Sequence, residues 1–236
     1  MTSNELRDDY YYATGRESRA LFAVVQHRAM QPDVLAKLLG TGRNHVYEML
    51  SGLREGGMVE PLRKVGAGPK WIVPTRKAIR QMLGRPLPDW TPSRLWSVRA
   101  RATALTRIAL GATGMFEWES ERELRYFEGY EGRFLFEGRA HLGDSLVAVR
   151  VDIGSSPTAS NLTETVVRAV RTAPDFGSGL LWVCAGDTQP DAVLRTVDRL
   201  TRTGVLDNDS ALRIAAVDYD DLTDPNVPVI TPWGVA

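Results

Sequence analysis

The sequence predicts a mixed α/β protein in two parts, a helical N-terminal part and a C-terminal part in which strands and helices alternate. Apolar residues recur at helical spacing through the first part of the chain. A proline-rich stretch at 85–92 then interrupts this pattern. After it, the wholly apolar segment 179–184 has the length of a buried strand and lies between two amphipathic helical segments. Such alternation is typical of a sheet covered by helices.

Composition limits the classes of protein that the chain can belong to. Of its 236 residues, 43% are hydrophobic and 25% are charged, as in ordinary globular proteins. Because no segment reaches the roughly 18 apolar residues of a membrane span and the first residues are polar, we expect a soluble, cytoplasmic protein. The single cysteine, Cys184, excludes an internal disulfide and a cysteine metal cluster, and we expect it to be a small buried hydrophobe.

The net charge of zero conceals a difference between the two parts. Residues 1–88 contain 14 Lys and Arg against 8 Asp and Glu, whereas the remainder contains 15 against 21. The first part is therefore the one expected to contact phosphate groups.

Three predicted helices open the chain, at 17–30, 33–40 and 43–56, with a tight turn at Thr41 and Gly42. We expect Pro32 to close the first helix and Asp33 to cap the second. In the third helix one apolar face packs inward, and the opposite face is polar. That polar face carries Arg43, Asn44, His45, Tyr47 and Ser51. The order is typical of a helix-turn-helix, whose last helix enters the DNA major groove.

A predicted hairpin follows, with strands at 58–65 and 70–73 joined by the glycine-containing segment 66–69. The basic side chains at its tip, which would lie against the DNA backbone, are Arg63, Lys64 and Lys70. Thr75 is expected to cap a further helix at 76–83. Residues 1–84 are therefore predicted to form a winged helix-turn-helix DNA-binding domain.

The residue types on the third helix suit base recognition. Arg43 can pair with guanine and Asn44 with adenine, while His45 and Tyr47 are expected to reach phosphates or a base edge. The alternative for each of them is an ordinary solvated polar residue on a packed helix.

Beyond the linker at 85–92, residues 93–236 are predicted to form an α/β domain. A long helix at 93–112 has an apolar seam that is either core or a dimer contact, formed by Leu95, Val98, Ala102, Leu105, Ile108 and Ala109. Its arginines could face solvent, acidic partners or DNA: Arg94, Arg99, Arg101 and Arg107. Further helices are expected at 119–127, 162–173 and 191–203, and strands at 134–136, 146–151, 179–184 and 212–217.

The order of winged helix, proline-rich linker, arginine-bearing helix and the segment 118–125, followed by an α/β domain, resembles the replication-relaxation family of actinobacterial mobile elements. This resemblance implies a DNA-binding protein connected with plasmid or mobile-element maintenance or its transcriptional control. It also implies a C-terminal domain similar to the restriction-endonuclease-like fold.

That fold can hold a magnesium site, for which Glu121, Asp144 and Asp152 are the candidate carboxylates. The lysine that such nucleases require is missing, because no lysine follows Lys77 and glycine occupies position 154. Arg150 would point to the opposite face of the strand from Val151, so it does not replace the missing lysine. We therefore predict a nuclease-like scaffold without nuclease activity, and no catalytic residues.

Other chemistries find no support. The histidines His27, His45 and His141 have no metal-ligand spacing, and neither a phosphate-binding loop nor a Gly-x-Ser-x-Gly motif occurs in the sequence. No metal and no cofactor are expected.

The leading hypothesis is a sequence-specific regulator that binds double-stranded DNA as a homodimer, located at the nucleoid. Its α/β domain would dimerise or bind a protein partner. The first alternative is a metal-dependent nuclease. The second is a replication or partition accessory protein that acts through protein partners.

Overall fold

The computed structural model describes residues 15–65, 68–85, 92–127, 136–153, 159–207 and 214–226. The chain divides into two compact units: the first contains the described residues up to Ala104, with Thr113–Met115 and those within 122–131, and the second contains the others. Within the described ranges, no helix is long and apolar enough to cross a membrane. Positions 86–91 of the predicted linker, 66 and 67 of the predicted hairpin, and 134, 135, 212 and 213 of two predicted strands lie outside these ranges.

The first unit begins with helices α1, Arg16–Gln26, and α2, Pro32–Leu39. Helix α1 ends before the predicted limit at Met30, because Arg28 adopts a φ of 65°, which no α-helix accommodates. Pro32 opens α2 instead of closing α1, since a first-turn residue has no helical N–H bond to lose. The prediction that Asp33 caps α2 is therefore wrong, as Asp33 lies inside the first turn.

Helix α3, Arg43–Glu55, agrees with its prediction to one residue. The predicted inward face is confirmed by four buried side chains: Val46, Met49, Leu50 and Leu53. Helix α4, Arg76–Leu83, is capped as predicted, with the Ala78 N–H donating to the Thr75 hydroxyl at 3.2 Å. These four helices provide the helix-turn-helix and its support.

The predicted hairpin forms only isolated antiparallel bridges, Val59 with Pro74 and Arg63 with Trp71, instead of two continuous strands. Proline explains the interruption, because Pro61, Pro69 and Pro74 have no N–H to donate to a ladder. The ladder hydrogen bonds of Arg63 and Trp71 are 3.0 and 2.7 Å long. We call residues 58–74 the wing.

The second unit is built on a five-stranded sheet in the order β1-β2-β3-β4-β5. Its strands are Trp118–Ser120, Gly138–Leu142, Ser145–Asp152, Gly179–Cys184 and Ile214–Asp218. The first three are antiparallel and the last three are parallel. The parallel strands are joined by helices of the length that such crossovers need, Ala159–Thr172 and Pro190–Arg202, here α7 and α8. The predicted mixed α/β fold is confirmed.

Two strands of this sheet were not predicted. Strand β1 takes Glu119 and Ser120 from the predicted helix, so that α6 is confined to Glu121–Phe127. Strand β2 was missed because its buried residues, Gly138 and Ala140, are small and give no apolar alternation. A Cβ at Gly138 would lie 2.3 Å from Cζ2 of Trp118, so only glycine fits there.

Helix α5, Arg94–Ala109, lies between α4 and β1 in the chain. Of the two alternatives for its apolar seam, the core is wrong at Leu95 and Val98, which are 77% and 52% exposed. Small residues such as Ala100 and Ala104 are buried instead, because they allow close approach of neighbouring segments. Arg107, expected at the surface, is 1% exposed and donates Nε to the carbonyl of Ala112 at 2.7 Å.

Candidate nucleic-acid interface

The amino end of α3 presents three polar side chains in its first turn. Arg43, Asn44 and His45 are all exposed, and this turn has no acidic residue. The preceding residue, Gly42, has extended backbone angles and no side chain that could accept from the first N–H groups of the helix. Free N–H groups at the positive end of a helix attract anions such as phosphate.

Helical geometry arranges the polar residues of α3 into a centre and two flanks. Directly opposite the buried face lie Asn44 and Ser51, with Arg43 and Tyr47 on one flank and His45 on the other. Tyr47 is 50% exposed, whereas Ser51 is half-buried. The structure therefore presents four of the five predicted residues at the surface and partly buries the fifth.

Two acidic residues that the sequence analysis did not consider share this surface. His45 Nδ1 lies 3.3 Å from a carboxylate oxygen of Glu48, and the Ser51 hydroxyl donates to Glu55 at 3.3 Å. Their position on the exposed face follows from the helical period alone, so the sequence did contain the signal. Carboxylates repel phosphate but can accept a hydrogen bond from the amino group of cytosine.

The three basic residues of the wing differ in their surroundings. Arg63 forms an ion pair with Glu60 at 2.5 Å, which neutralises part of its charge. Lys64 donates from Nζ to the carbonyl oxygen of Gly68 at 3.0 Å. Lys70 is exposed beside Pro69. All three lie at the surface.

The carboxylates of the nuclease alternative are not brought together. Asp144 precedes β3 and Asp152 ends it, so the eight-residue strand separates them by about 26 Å at the usual rise per residue. Asp152 accepts a hydrogen bond from the Thr188 hydroxyl at 3.2 Å. In the described part of the chain, no group of three or more His, Cys, Asp or Glu side chains could hold a metal ion, and Glu121 joins no such group. Position 154, where the lysine is missing, lies outside the described residues.

Neighbouring side chains on the sheet have structural partners. The guanidinium carbon of Arg150 lies 4.9 Å from the centre of the Trp182 ring, a cation–π distance. His141 lies on β2 with Nε2 3.4 Å from Glu119, which is 3% exposed and also accepts hydrogen bonds from Arg139. The other histidine outside α3, His27, is buried.

Cys184 ends β4 and is 2% exposed. Burial, together with the nearby carboxylates of Asp152 and Asp218, raises the pKa of its thiol from 9.0 to about 12. Because the thiolate is the reactive form, this environment suits a packed side chain and not a nucleophile.

Residues 14–76 match the family described as sugar-specific transcriptional regulator TrmB. The matched range contains α1, α2, α3 and the wing, and it ends at the first residue of α4. This similarity, together with the helix-turn-helix and the wing, supports a winged-helix transcription-regulator domain at residues 14–76. No curated protein and no solved structure matches the chain. The match does not confirm the resemblance to the replication-relaxation family.

Proposed function

We propose that this chain is a sequence-specific, DNA-binding regulator of transcription in which α3 enters the major groove with its amino end first. The observation that carries the proposal is the exposed first turn of α3, which has basic and amide side chains, no acid and free N–H groups.

Each residue of α3 has a role that its position supports. Arg43 and Asn44 can form bidentate hydrogen bonds with guanine and adenine, respectively. Tyr47 shares the flank of Arg43 and reaches a base edge or a phosphate, and His45 reaches a phosphate on the other flank. Ser51, half-buried and further along the helix, is assigned a secondary contact.

The wing supplies affinity without sequence preference. Lys64 and Lys70 are positioned to contact phosphates, and Arg63 contributes when its pair with Glu60 opens. Such contacts release counterions, so the affinity for any duplex falls as salt is added.

We also propose that two copies bind one site. A single module of this kind buries roughly 600 to 1,000 Å², which is small for a specific complex, and a dimer doubles it. The second unit would join the two copies or bind a protein partner.

We do not propose that DNA binding by this chain depends on a sugar, since the family match ends at residue 76, before the sheet begins. Action on a mobile element stays a prediction of the sequence.

The test is selection of bound duplexes from a random library with the full chain. We expect wild type to enrich a discrete, palindromic motif. The double variant R43A/N44A should lose that motif, while Arg168→Ala, which removes an exposed arginine of α7, should keep it. If wild type enriches no sequence, the proposal is wrong.

A further inference from the structure

The described residues Gly68 and Pro69, which we call the wing turn, are held by a side chain outside the wing. Gln31 donates a hydrogen bond from Nε2 to the carbonyl oxygen of Pro69 at 3.2 Å, and only 4% of this glutamine is exposed. Its neighbour Met30 forms an antiparallel bridge with Ile72 of the wing. Gln31 therefore fixes the turn at the same place where the chain before α2 pairs with the wing.

Gln31 is in turn held by helix α5. Its side-chain oxygen accepts a hydrogen bond from Nη1 of Arg101, whose Nη2 donates to Asp33 at 2.8 Å. Burial raises the pKa of Asp33, but the hydrogen bond and charge of Arg101 and two backbone N–H groups outweigh burial and lower it below 3.8. The charged pair of Asp33 and Arg101 thus orients the Gln31 amide, which is hydrogen-bonded to Pro69.

Apolar contacts join the same two segments. The rings of Trp71 in the wing and Trp96 in α5 lie 5.4 Å apart, inclined by 57°. Trp71 belongs to a buried cluster with Ala29 and Ala100, the residue before Arg101. One side of α5 therefore packs on the base of the wing, and Arg101 extends that contact towards the turn through Gln31.

The wing needs this external support because its own ladder is short. Its strands pair only through isolated bridges, and prolines remove several possible donors. A two-stranded ribbon of this kind is marginally stable by itself.

We propose that Gln31 and Arg101 are positioning residues that hold the wing turn where Lys64 and Lys70 can lie against the DNA backbone. This inference rests on the proposed function. According to it, part of the sequence-independent affinity for DNA depends on the polar link that Gln31 and Arg101 form between α5 and the wing.

Two variants break the link at different points. Gln31→Met keeps the approximate size and the charge of the side chain but removes both the donor to Pro69 and the acceptor from Arg101. Arg101→Gln removes the group that orients Gln31. The matched control is Arg94→Gln, which removes one positive charge from an exposed position of the same helix.

The first measurement is hydrogen exchange of the free, full-length proteins. The amides of Arg63 and Trp71, which are hydrogen-bonded across the wing, should exchange faster in Gln31→Met and Arg101→Gln. Amides of β4 should be unchanged, and Arg94→Gln should match wild type throughout. If Gln31→Met accelerates exchange everywhere, it has destabilised the whole fold. The exchange of the Arg63 and Trp71 amides in Arg101→Gln then tests the proposal.

The second measurement is the affinity for cognate and random duplexes as a function of salt, with and without Lys70→Ala. Each linking variant should weaken binding to both duplexes by about threefold to tenfold and lower the salt slope by about one. Lys70→Ala should then cost less in a linking variant than in wild type, because a displaced wing has already lost that contact.

The outcomes separate the two proposals. If wild type binds DNA but the linking variants behave like Arg94→Gln, or Lys70→Ala is fully additive with them, the positioning role is wrong and the proposed function stands. If wild type binds no duplex, the proposed function is wrong, and a role in DNA binding for Gln31 and Arg101 fails with it.

Discussion

Arg122 donates a hydrogen bond from Nη1 to the carbonyl oxygen of Val25 at 2.7 Å, joining positions 97 residues apart. Beside it, Gln26 donates from Nε2 to Glu123 at 2.8 Å. All four residues belong to the first unit and are buried. The winged-helix unit is thus completed by a segment of α6, a helix that follows the first strand of the sheet in the chain.

Replacing Arg122 should therefore destabilise the winged-helix unit. We expect Arg122→Ala to lower the free energy of unfolding by about 1.5 to 3 kcal/mol, the range for a hydrogen bond from a charged group. Urea denaturation followed by circular dichroism measures this. The control is Arg168→Ala, whose exposed pair with Glu164 should contribute less than about 0.5 kcal/mol. Equal effects of the two variants would mean that the contact with Val25 is dispensable.

Substitutions in α3 and in the wing should differ in their dependence on DNA sequence. Arg43→Ala and Asn44→Ala should each weaken binding to the selected motif by about 1 to 3 kcal/mol and leave random duplex binding nearly unchanged. Lys70→Ala should weaken both equally and lower the salt slope by about one. Fluorescence anisotropy with labelled duplexes distinguishes these patterns. Equal losses on both duplexes for all three variants would place base recognition elsewhere.

Two glycine-to-alanine changes should have opposite effects on stability. At Gly138 a Cβ would overlap the Trp118 ring and lie 2.8 Å from the Glu119 carbonyl, so Gly138→Ala should cost at least about 1 to 3 kcal/mol. At Gly52, inside α3, the nearest atom is 3.7 Å away, so alanine should stabilise the helix by about 0.5 to 1 kcal/mol. Thermal unfolding of both variants provides the measurement. A stable Gly138→Ala protein would contradict the packing of β1 on β2.

The Cys184 thiol should be unreactive in the folded protein. Because burial raises its pKa to about 12, it stays protonated at pH 8, and iodoacetamide should modify it far more slowly than in urea. It is the single cysteine of the chain, so mass spectrometry reports this site alone. The folded pKa exceeds the ordinary 9.0, so its contribution to stability is complete below pH 9 and is lost as the pH rises towards 12. Equal labelling rates in folded and unfolded protein would contradict this burial.

Elements with strong local signals were predictable. Glycines at both ends and an apolar face define α3, and a continuous apolar run defines β4. The residues of the candidate DNA-binding surface on α3 followed from the same periodicity, although Glu48 and Glu55 were not predicted there.

Elements determined by contacts distant in sequence were not predictable. The one-residue bridge between Met30 and Ile72 leaves no pattern in the sequence. Helix α5 buries alanines and Arg107 while exposing Leu95, the reverse of what hydrophobicity suggests. Gln31 and Arg101 gave no signal either, since an isolated glutamine and arginine look like solvated side chains until the fold brings them together.

The position of β3, antiparallel to β2 on one side and parallel to β4 on the other, has a consequence for synthesis on the ribosome. The turn at Gly143 and Asp144 lets β3 pair with β2 as soon as both strands have emerged. Ser178, which hydrogen-bonds to Leu146 next to β4, is synthesised 32 residues after Leu146. During that interval the second edge of β3, a strand rich in valine, is unpaired. Nascent chains stalled before β4 should therefore be the aggregation-prone species of this protein.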